Sequence, residues 1–165
     1  MIVLWRVTER CNLSCGFCAF DRSLERPRRE ADPRDVFRFA EVLASYREAT
    51  DDEVMVSWLG GEPLLWPPLE EMSRVLHTRL GLRISTTTNG TGLRSRATRE
   101  LLRAHFAELT VSVDGLAATH ERLRGWPGGY STDYGRVRHV HISLGGREDG
   151  IRFAHRGGRT RVAWR

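Results

Sequence analysis

All three cysteines of this chain, Cys11, Cys15 and Cys18, lie within the eight-residue run CNLSCGFC. Thiolates are ligands that zinc ions and iron-sulfur clusters commonly take from proteins. A structural zinc site is usually closed by four protein ligands, whereas a cluster held by three thiolates leaves one iron open to a ligand that is not protein. The spacing therefore predicts a metal centre, and the missing fourth ligand is the main clue to its chemistry.

The elements around this run alternate short apolar segments with longer helical patterns. The predicted strands are Ile2 to Val7, Val54 to Leu59, Arg83 to Thr87 and Leu109 to Val113. Three helices are predicted between and beside these strands. Asp32-Pro33 opens the first, the second follows Pro67-Pro68, and the third runs from about Ser95 to His105. This alternation is typical of βα units with a parallel sheet.

The first two helices have recognisable ends. Asp32 is a candidate N-cap with Pro33 at the first helical position, and Gly81 is a candidate C-cap of the second helix. The predicted apolar stripe of the first helix consists of Val36, Phe39, Ala40, Leu43 and Tyr46. We expect Trp58 and Trp66 in the core.

A polar or glycine-containing segment follows each predicted strand. These segments are the cysteine run, Gly60 to Pro63, Asn89 to Gly92, and Asp114-Gly115. In parallel α/β folds the loops after the carboxyl ends of the strands share one face, where ligands bind. We therefore expect one common site. Taken singly, the second and fourth segments are typical of ordinary turns, and Asn89-Gly90 of a hairpin.

Bulk composition fits one compact domain, with 165 residues of which 40% are hydrophobic and 28% charged. No apolar run approaches the roughly 20 residues that span a bilayer, and no signal peptide is evident, so we expect a cytoplasmic, reducing location.

The formal net charge is +5. Residues 1–130 hold 18 Arg and 18 acidic residues, so the excess lies in the tail. Neither nucleic acid nor a membrane is expected as a partner.

Four motifs, in this order, resemble those of the radical S-adenosylmethionine (SAM) enzyme superfamily. They are CNLSCGFC as CxxxCxxC, GGEP at Gly60 to Pro63, TTNG at Thr87 to Gly90, and SVDG at Ser112 to Gly115. The first motif is specific, and the others gain weight from their order. The resemblance covers about residues 2–130. It favours iron over the alternative, a zinc site completed by one of the six histidines.

The resemblance implies that Cys11, Cys15 and Cys18 hold three irons of a [4Fe-4S] cluster and that SAM chelates the fourth. Reductive cleavage of SAM would give a 5'-deoxyadenosyl radical, which abstracts hydrogen from an unidentified small molecule or peptide. The cofactors supply the difficult chemistry, and no catalytic residue beyond them is identified. A reductant protein such as a flavodoxin or a ferredoxin is implied as a partner.

The resemblance also implies a set of SAM contacts. Gly60 and Gly61 lack a Cβ, so their backbone could approach the methionyl ammonium closely, and Glu62 would add a compensating charge. Pro63 would fix the turn.

Further SAM contacts come from the later strands. Ser112 and Asp114, two apart on a strand, would point to one face and offer a hydroxyl and a carboxylate to the methionyl or ribose groups. Arg124, in HERLRG, would pair with the SAM carboxylate. Three more residues are expected at the same pocket: Thr88, Asn89 and, near the adenine, Phe17.

The implied fold is α/β, a partial (βα) barrel with a mainly parallel sheet of about four strands over residues 1–130. An irregular Arg/Gly-rich tail would follow over residues 131–165. The family's barrel has six βα units, and at about 30 residues per unit the tail is too short for the missing ones. The sequence thus predicts a barrel cut short by truncation or a frameshift. Two other hypotheses remain beside an active enzyme: an inactive fragment that binds only the cluster, and a small zinc-binding module.

Overall fold

A computed structural model describes residues 1–18 and 28–130, together with the backbone of Ile151–His155 and Gly158–Val162. One sheet runs through the molecule in the strand order β1-β2-β3-β4-β5-β6. Its strands are β1 Ile2–Thr8, β2 Met55–Gly60, β3 Arg83–Thr88, β4 Glu108–Ser112, β5 Ile151–His155 and β6 Gly158–Val162. The first five are parallel neighbours, and β6 is antiparallel to β5. The open parallel sheet confirms the expected partial barrel.

Helices connect the first four strands as predicted. They are α1 Pro33–Thr50, α2 Leu69–Thr78 and α3 Arg96–His105, and a fourth helix, α4 Ala117–Arg124, follows β4. The sequence analysis did not predict α4, because its two buried residues are the polar His120 and Arg124, four apart, and no apolar stripe marks it. No helix in the described ranges is both long and apolar enough to cross a membrane.

The start of α1 matches its sequence signals, whereas α2 ends before its predicted C-cap, Gly81. Asp32 caps α1 by accepting a hydrogen bond of 2.8 Å from the Arg34 amide, with Pro33 in the first turn. The C-cap of α2 is Arg79, and Gly81 follows with a φ of +62°, a left-handed conformation that favours glycine.

The predicted stripe of α1 is only partly correct. Val36, Ala40 and Leu43 are buried, whereas Phe39 and Tyr46 are 45% and 39% exposed. These two side chains lie on the flank of the helix, and Phe39 packs edge-on against Trp5, with the ring centroids 5.1 Å apart. Aromatic side chains at this border keep one side in solvent.

Trp58 and Trp66 lie in the core, as predicted, and are 0% and 2% exposed. The indole nitrogen of Trp58 donates to the Ser73 hydroxyl at 2.9 Å, so its one polar atom is satisfied on burial. The helix-facing side of the sheet is thereby fixed against α2.

The tail contributes the two strands β5 and β6, whereas the sequence pattern predicts an irregular segment there. β5 pairs with β4 from Thr110 to Ser112, so the fourth strand is flanked on both sides. Residues 131–150 lie outside the described part of the chain. Because β1 to β4 are parallel, their carboxyl ends meet at one edge of the sheet, which is where the four motifs lie.

Candidate cluster and SAM site

The cysteine loop leaves β1 and returns beside it. The Ala31 amide donates to the Val7 carbonyl at 2.8 Å, and the Glu9 amide donates to the Arg29 carbonyl at 2.9 Å. Thr8 and Glu30 form an antiparallel bridge between these contacts. Both ends of the loop are thus fixed to the first strand, although residues 19–27 lie outside the described ranges.

The three thiols lie at the start of this loop, within residues 11–18. The Cys18 amide donates to the Cys15 carbonyl at 3.1 Å, which forms a tight turn between the two cysteines. Cys11 and Cys15 are partly buried and Cys18 is exposed. Burial raises the pKa of the Cys15 thiol; the positive charge of Arg124 opposes this, while Cys11 and Cys18 add to it.

Three soft thiols on one loop form a donor set that suits an iron-sulfur cluster. Each of the three thiolates would bind a different iron of such a cluster. The residues present therefore fit the implied group.

The GGEP segment at the end of β2 lies directly against the cysteine loop. The Gly61 amide donates to the Thr8 carbonyl at 2.8 Å, and the Glu62 amide donates to the Arg10 carbonyl at 2.7 Å. A Cβ at Gly60 would overlap the Thr8 carbonyl oxygen, and one at Gly61 would overlap that of Arg10. These glycines are required because two protein backbones approach closely, a different reason from the predicted approach of SAM.

Glu62 is fully buried, and its carboxylate joins the ends of β2 and β3. It accepts hydrogen bonds of 2.7 Å from the Thr88 hydroxyl, 2.7 Å from the Asn89 amide and 3.2 Å from the Leu64 amide. Burial raises the pKa of Glu62, and these donors oppose that rise. The next residue, Pro63, is buried and opens the short helical turn Pro63–Leu65. Three protein donors already engage this carboxylate. A contact between Glu62 and SAM stays a prediction.

The loop after β3 reaches the cysteine loop through Asn89. The Asn89 side-chain nitrogen lies 2.9 Å from the Asn12 side-chain oxygen and 3.8 Å from the Cys11 sulfur. Asn12 in turn donates to the Thr91 hydroxyl at 2.9 Å. Sequence reasoning missed Asn12 and Thr91, although each is adjacent to a motif. The hairpin alternative for Asn89-Gly90 is wrong, because the chain enters the helical turn Thr91–Arg94 and β4 is parallel to β3.

The SVDG segment differs from its prediction. β4 ends at Ser112, so Asp114 lies beyond the strand and the argument that both side chains share one strand face is wrong. Asp114 instead pairs with Arg124 through two contacts, 2.5 Å from Nε to Oδ2 and 3.3 Å from a terminal nitrogen to Oδ1. The two groups that were expected to contact SAM separately contact each other.

The end of α4 packs on the cysteine loop. The Cys15 thiol lies 3.9 Å from the Arg124 carbonyl oxygen, as a weak donor, and the Arg124 guanidinium lies 5.6 Å from the Phe17 ring centroid. Gly125 follows with a φ of +62°, and a Cβ there would come within 2.8 Å of the Ser14 hydroxyl. Helix α4 thereby brings Arg124 beside Cys15 and Phe17 of the cysteine loop.

His120 fixes the turn that precedes this contact. Its side chain is fully buried, and its Nδ1 accepts a hydrogen bond of 3.2 Å from the Asp114 amide. Burial lowers the pKa of His120, and the charge of Arg124 lowers it further. The imidazole is therefore held in its neutral form, with Nδ1 as the acceptor.

Comparisons with known proteins agree with this geometry. A family model described as the Radical SAM superfamily matches residues 5–137. An AdoMet-dependent heme synthase of Methanosarcina barkeri is 33% identical over 130 residues, which are 78% of this chain and 36% of that protein. A GTP 3',8-cyclase of Synechococcus sp. is 32% identical over 154 residues, 90% of this chain and 43% of that protein.

The fold has a solved counterpart in the crystal structure of Streptococcus suis SuiB bound to S-adenosylmethionine. The TM-score is 0.55 at 25% identity, over 76% of this chain and 28% of that one. The chain spans about a third of the length of the first curated relatives it matches. On the family match, the shared sheet and the four motifs gathered at its edge, this chain belongs to the radical SAM superfamily, whose members bind a [4Fe-4S] cluster and SAM.

Proposed function

We propose that Cys11, Cys15 and Cys18 bind a [4Fe-4S] cluster and that this chain reductively cleaves SAM at the iron they leave open. The observation that carries the proposal is the joining of three motifs into one structure. Backbone hydrogen bonds tie GGEP to the cysteine loop, and Glu62 and Asn89 tie the end of β3 to both. When bound, the cluster and SAM supply a 5'-deoxyadenosyl radical for hydrogen abstraction.

Arg124 is the proposed partner of the SAM carboxylate. Asp114 holds its guanidinium beside the cysteines, and the whole Arg124 residue is 9% exposed. A ligand carboxylate could take the place of Asp114 without leaving the cation unpaired, because both are planar acceptors of the same fork of donors. Asp114 would then be free to accept from a ribose hydroxyl or the methionyl ammonium.

The remaining SAM contacts are proposed by position. Gly60 and Gly61 bring the end of β2 to the cysteine loop, where the methionyl ammonium would lie next to the open iron. Phe17 is 54% exposed and lies near Arg124, which suits stacking of the adenine. Thr88, Asn89 and Ser112 lie at or next to the carboxyl ends of β3 and β4, on the same edge of the sheet.

The proposed substrate is a small molecule or a peptide, and the proposed reductant is a flavodoxin or a ferredoxin. The similar proteins include an AdoMet-dependent heme synthase and a GTP 3',8-cyclase, and one SuiB structure contains a precursor peptide. The chain covers only part of each relative. These similarities therefore suggest a broad class of substrate but do not select one compound.

The experiment is anaerobic reconstitution of the full chain with iron and sulfide, followed by reduction in the presence of SAM. We expect charge-transfer absorbance of a cluster and formation of 5'-deoxyadenosine. Replacement of all three cysteines by Ala should abolish both signals, whereas Ser14→Ala in the same loop should retain them.

The other outcomes assign the alternatives. A cluster without 5'-deoxyadenosine would identify a chain that binds the cofactor but does not cleave SAM. Absorbance that survives the triple substitution would contradict ligation by the cysteines. Uptake of one zinc ion per chain with no iron would indicate the zinc-binding module.

A further inference from the structure

The orientation of the Asn89 carboxamide is fixed by its neighbours. Its oxygen accepts 2.9 Å from the Thr91 amide and 2.8 Å from the Thr91 hydroxyl. A backbone amide can only donate, so the group that faces Thr91 must be the oxygen of Asn89 and not its nitrogen. The nitrogen therefore points to the opposite side, toward the cysteine loop.

Two acceptors meet that nitrogen, one for each of its hydrogens. The Asn12 side-chain oxygen lies 2.9 Å away and the Cys11 sulfur 3.8 Å away. The side-chain nitrogen of Asn12 is itself engaged with the Thr91 hydroxyl at 2.9 Å, which turns the Asn12 oxygen toward Asn89. The three polar side chains form a closed ring, and the second hydrogen of the Asn89 nitrogen faces the Cys11 thiol.

A second donor reaches the same sulfur. The Leu13 amide lies 3.4 Å from the Cys11 sulfur. Asn89 is 5% exposed, so its hydrogen bonds face little competition from solvent. The Cys11 sulfur is thus the acceptor of two N–H groups, one from the backbone of its own loop and one from the loop after β3.

We infer that Asn89 is a positioning residue that donates an N–H···S hydrogen bond to the Cys11 thiolate and raises the reduction potential of the cluster. Asn12 and Thr91 hold the carboxamide in this orientation. The inference rests on the proposed function, since it takes Cys11 as a cluster ligand. Hydrogen bonds to cluster sulfurs withdraw negative charge, and this favours the reduced state, which carries one more electron.

The test is a potentiometric titration of the reconstituted full chain without SAM, followed by electron paramagnetic resonance of the reduced cluster. Omitting SAM separates this effect from any contact between Asn89 and SAM. We expect Asn89→Ala to shift the midpoint potential to more negative values. Asn12→Leu and Thr91→Val should give smaller shifts in the same direction, because each loosens the carboxamide without removing it. Thr78→Val, on α2, should leave the potential unchanged.

Unchanged midpoint potentials in Asn89→Ala, with iron content equal to that of the wild type, would overturn the inference and leave the proposed function intact. If Asn89→Ala does not fold, equal potentials in Asn12→Leu, Thr91→Val and the wild type would overturn it in the same way. A wild-type chain that takes up no cluster would overturn the proposed function, and this inference with it.

Discussion

Two regions at the carboxyl edge of the sheet are built differently. The first, which we call the wall, consists of the described residues of the loops after β1, β2 and β3 together with Thr88 at the end of β3. The three polar residues that join its β2 and β3 parts are almost fully buried: Glu62, Thr88 and Asn89 are 0%, 1% and 5% exposed. The second, the arm, consists of residues 114–125, and it meets the cysteine loop through Arg124 and Gly125. Hydrogen bonds between buried groups join the loops of the wall, whereas the arm is held by the ion pair of Asp114 with Arg124 and by the hydrogen bond from the Asp114 amide to His120.

The difference indicates separate roles. Buried donors and acceptors of the wall satisfy one another within the protein, so the wall requires no cofactor to form. The ion pair of the arm joins a cation to a side-chain carboxylate that is 25% exposed, and a carboxylate ligand can replace such a partner. We therefore expect substitutions in the wall to affect folding and cluster uptake, and those in the arm to affect SAM.

The largest effect is expected for Gly61→Ala in the wall. The added Cβ would overlap backbone atoms of Arg10, so β2 and the cysteine loop must separate and lose their hydrogen bonds. We expect a loss of about 1–3 kcal/mol or more in the free energy of unfolding, measured by chemical denaturation. Gly16→Ala is the matched control, because a Cβ there meets no atom within 4 Å. Equal losses for the two variants would contradict the close approach of the backbones.

Glu62→Ala should have the next largest effect. It leaves the Thr88 hydroxyl and the Asn89 and Leu64 amides without their acceptor, and an unsatisfied buried donor costs about 1–3 kcal/mol. Urea denaturation of the metal-free protein measures this loss. The control is Glu41→Ala, at an exposed position on α1. If the two variants lost equal free energy of unfolding before reconstitution, the wall would need the cluster for its structure.

Arg124→Lys tests the arm. A lysine cannot form the two-point contact of a guanidinium with a carboxylate, so we expect SAM to bind the reconstituted protein roughly tenfold more weakly, about 1.4 kcal/mol. Cluster content should remain unchanged. Isothermal titration with SAM measures the affinity, and Arg122→Lys, exposed on the same helix, is the control. If both variants bind SAM as the wild type does, Arg124 is not its partner.

His120→Asn should give the smallest effect, visible as a pH dependence. Because the pKa of His120 is lowered in the folded state, protons bind the unfolded chain more tightly, and stability falls as pH drops below about 6.5. Asn does not titrate and retains an acceptor near the Asp114 amide. The variant should lose less stability between pH 7.5 and pH 5.5, as measured by thermal unfolding. Part of the slope should remain, since the pKa of His105 is lowered as well. Parallel pH profiles would show that His120 does not titrate with folding.

Local patterns predicted most of this fold. Apolar periodicity located the strands β1 to β4 and the helices α1 to α3, and the cysteine spacing indicated the candidate metal site. Helix α4 could not be predicted from apolar periodicity, because polar residues occupy its buried positions. The pairing of Asp114 with Arg124 depends on how that helix packs back toward the sheet. Periodicity in the sequence does not predict this packing.

Contacts between loops could not be predicted either. Asn12 lies 77 positions from Asn89 and 79 from Thr91 along the chain, and no local signal joins residues so far apart. The same holds for Glu62 and Thr88, 26 positions apart, whose contact appears only when the parallel strands are brought side by side. Motif order indicates that such residues share a site, and the structure supplies their pairing.

The most direct test of the central claim, that SAM occupies the iron left open by three cysteines, is electron-nuclear double resonance of the reduced, reconstituted chain with SAM labelled with ¹⁵N at its amino group. We expect a ¹⁵N hyperfine coupling between the cluster and this nitrogen, replaced by a ¹⁴N coupling with unlabelled SAM. A cluster that forms on the three cysteines, in the presence of saturating labelled SAM, but shows no ¹⁵N coupling would contradict it.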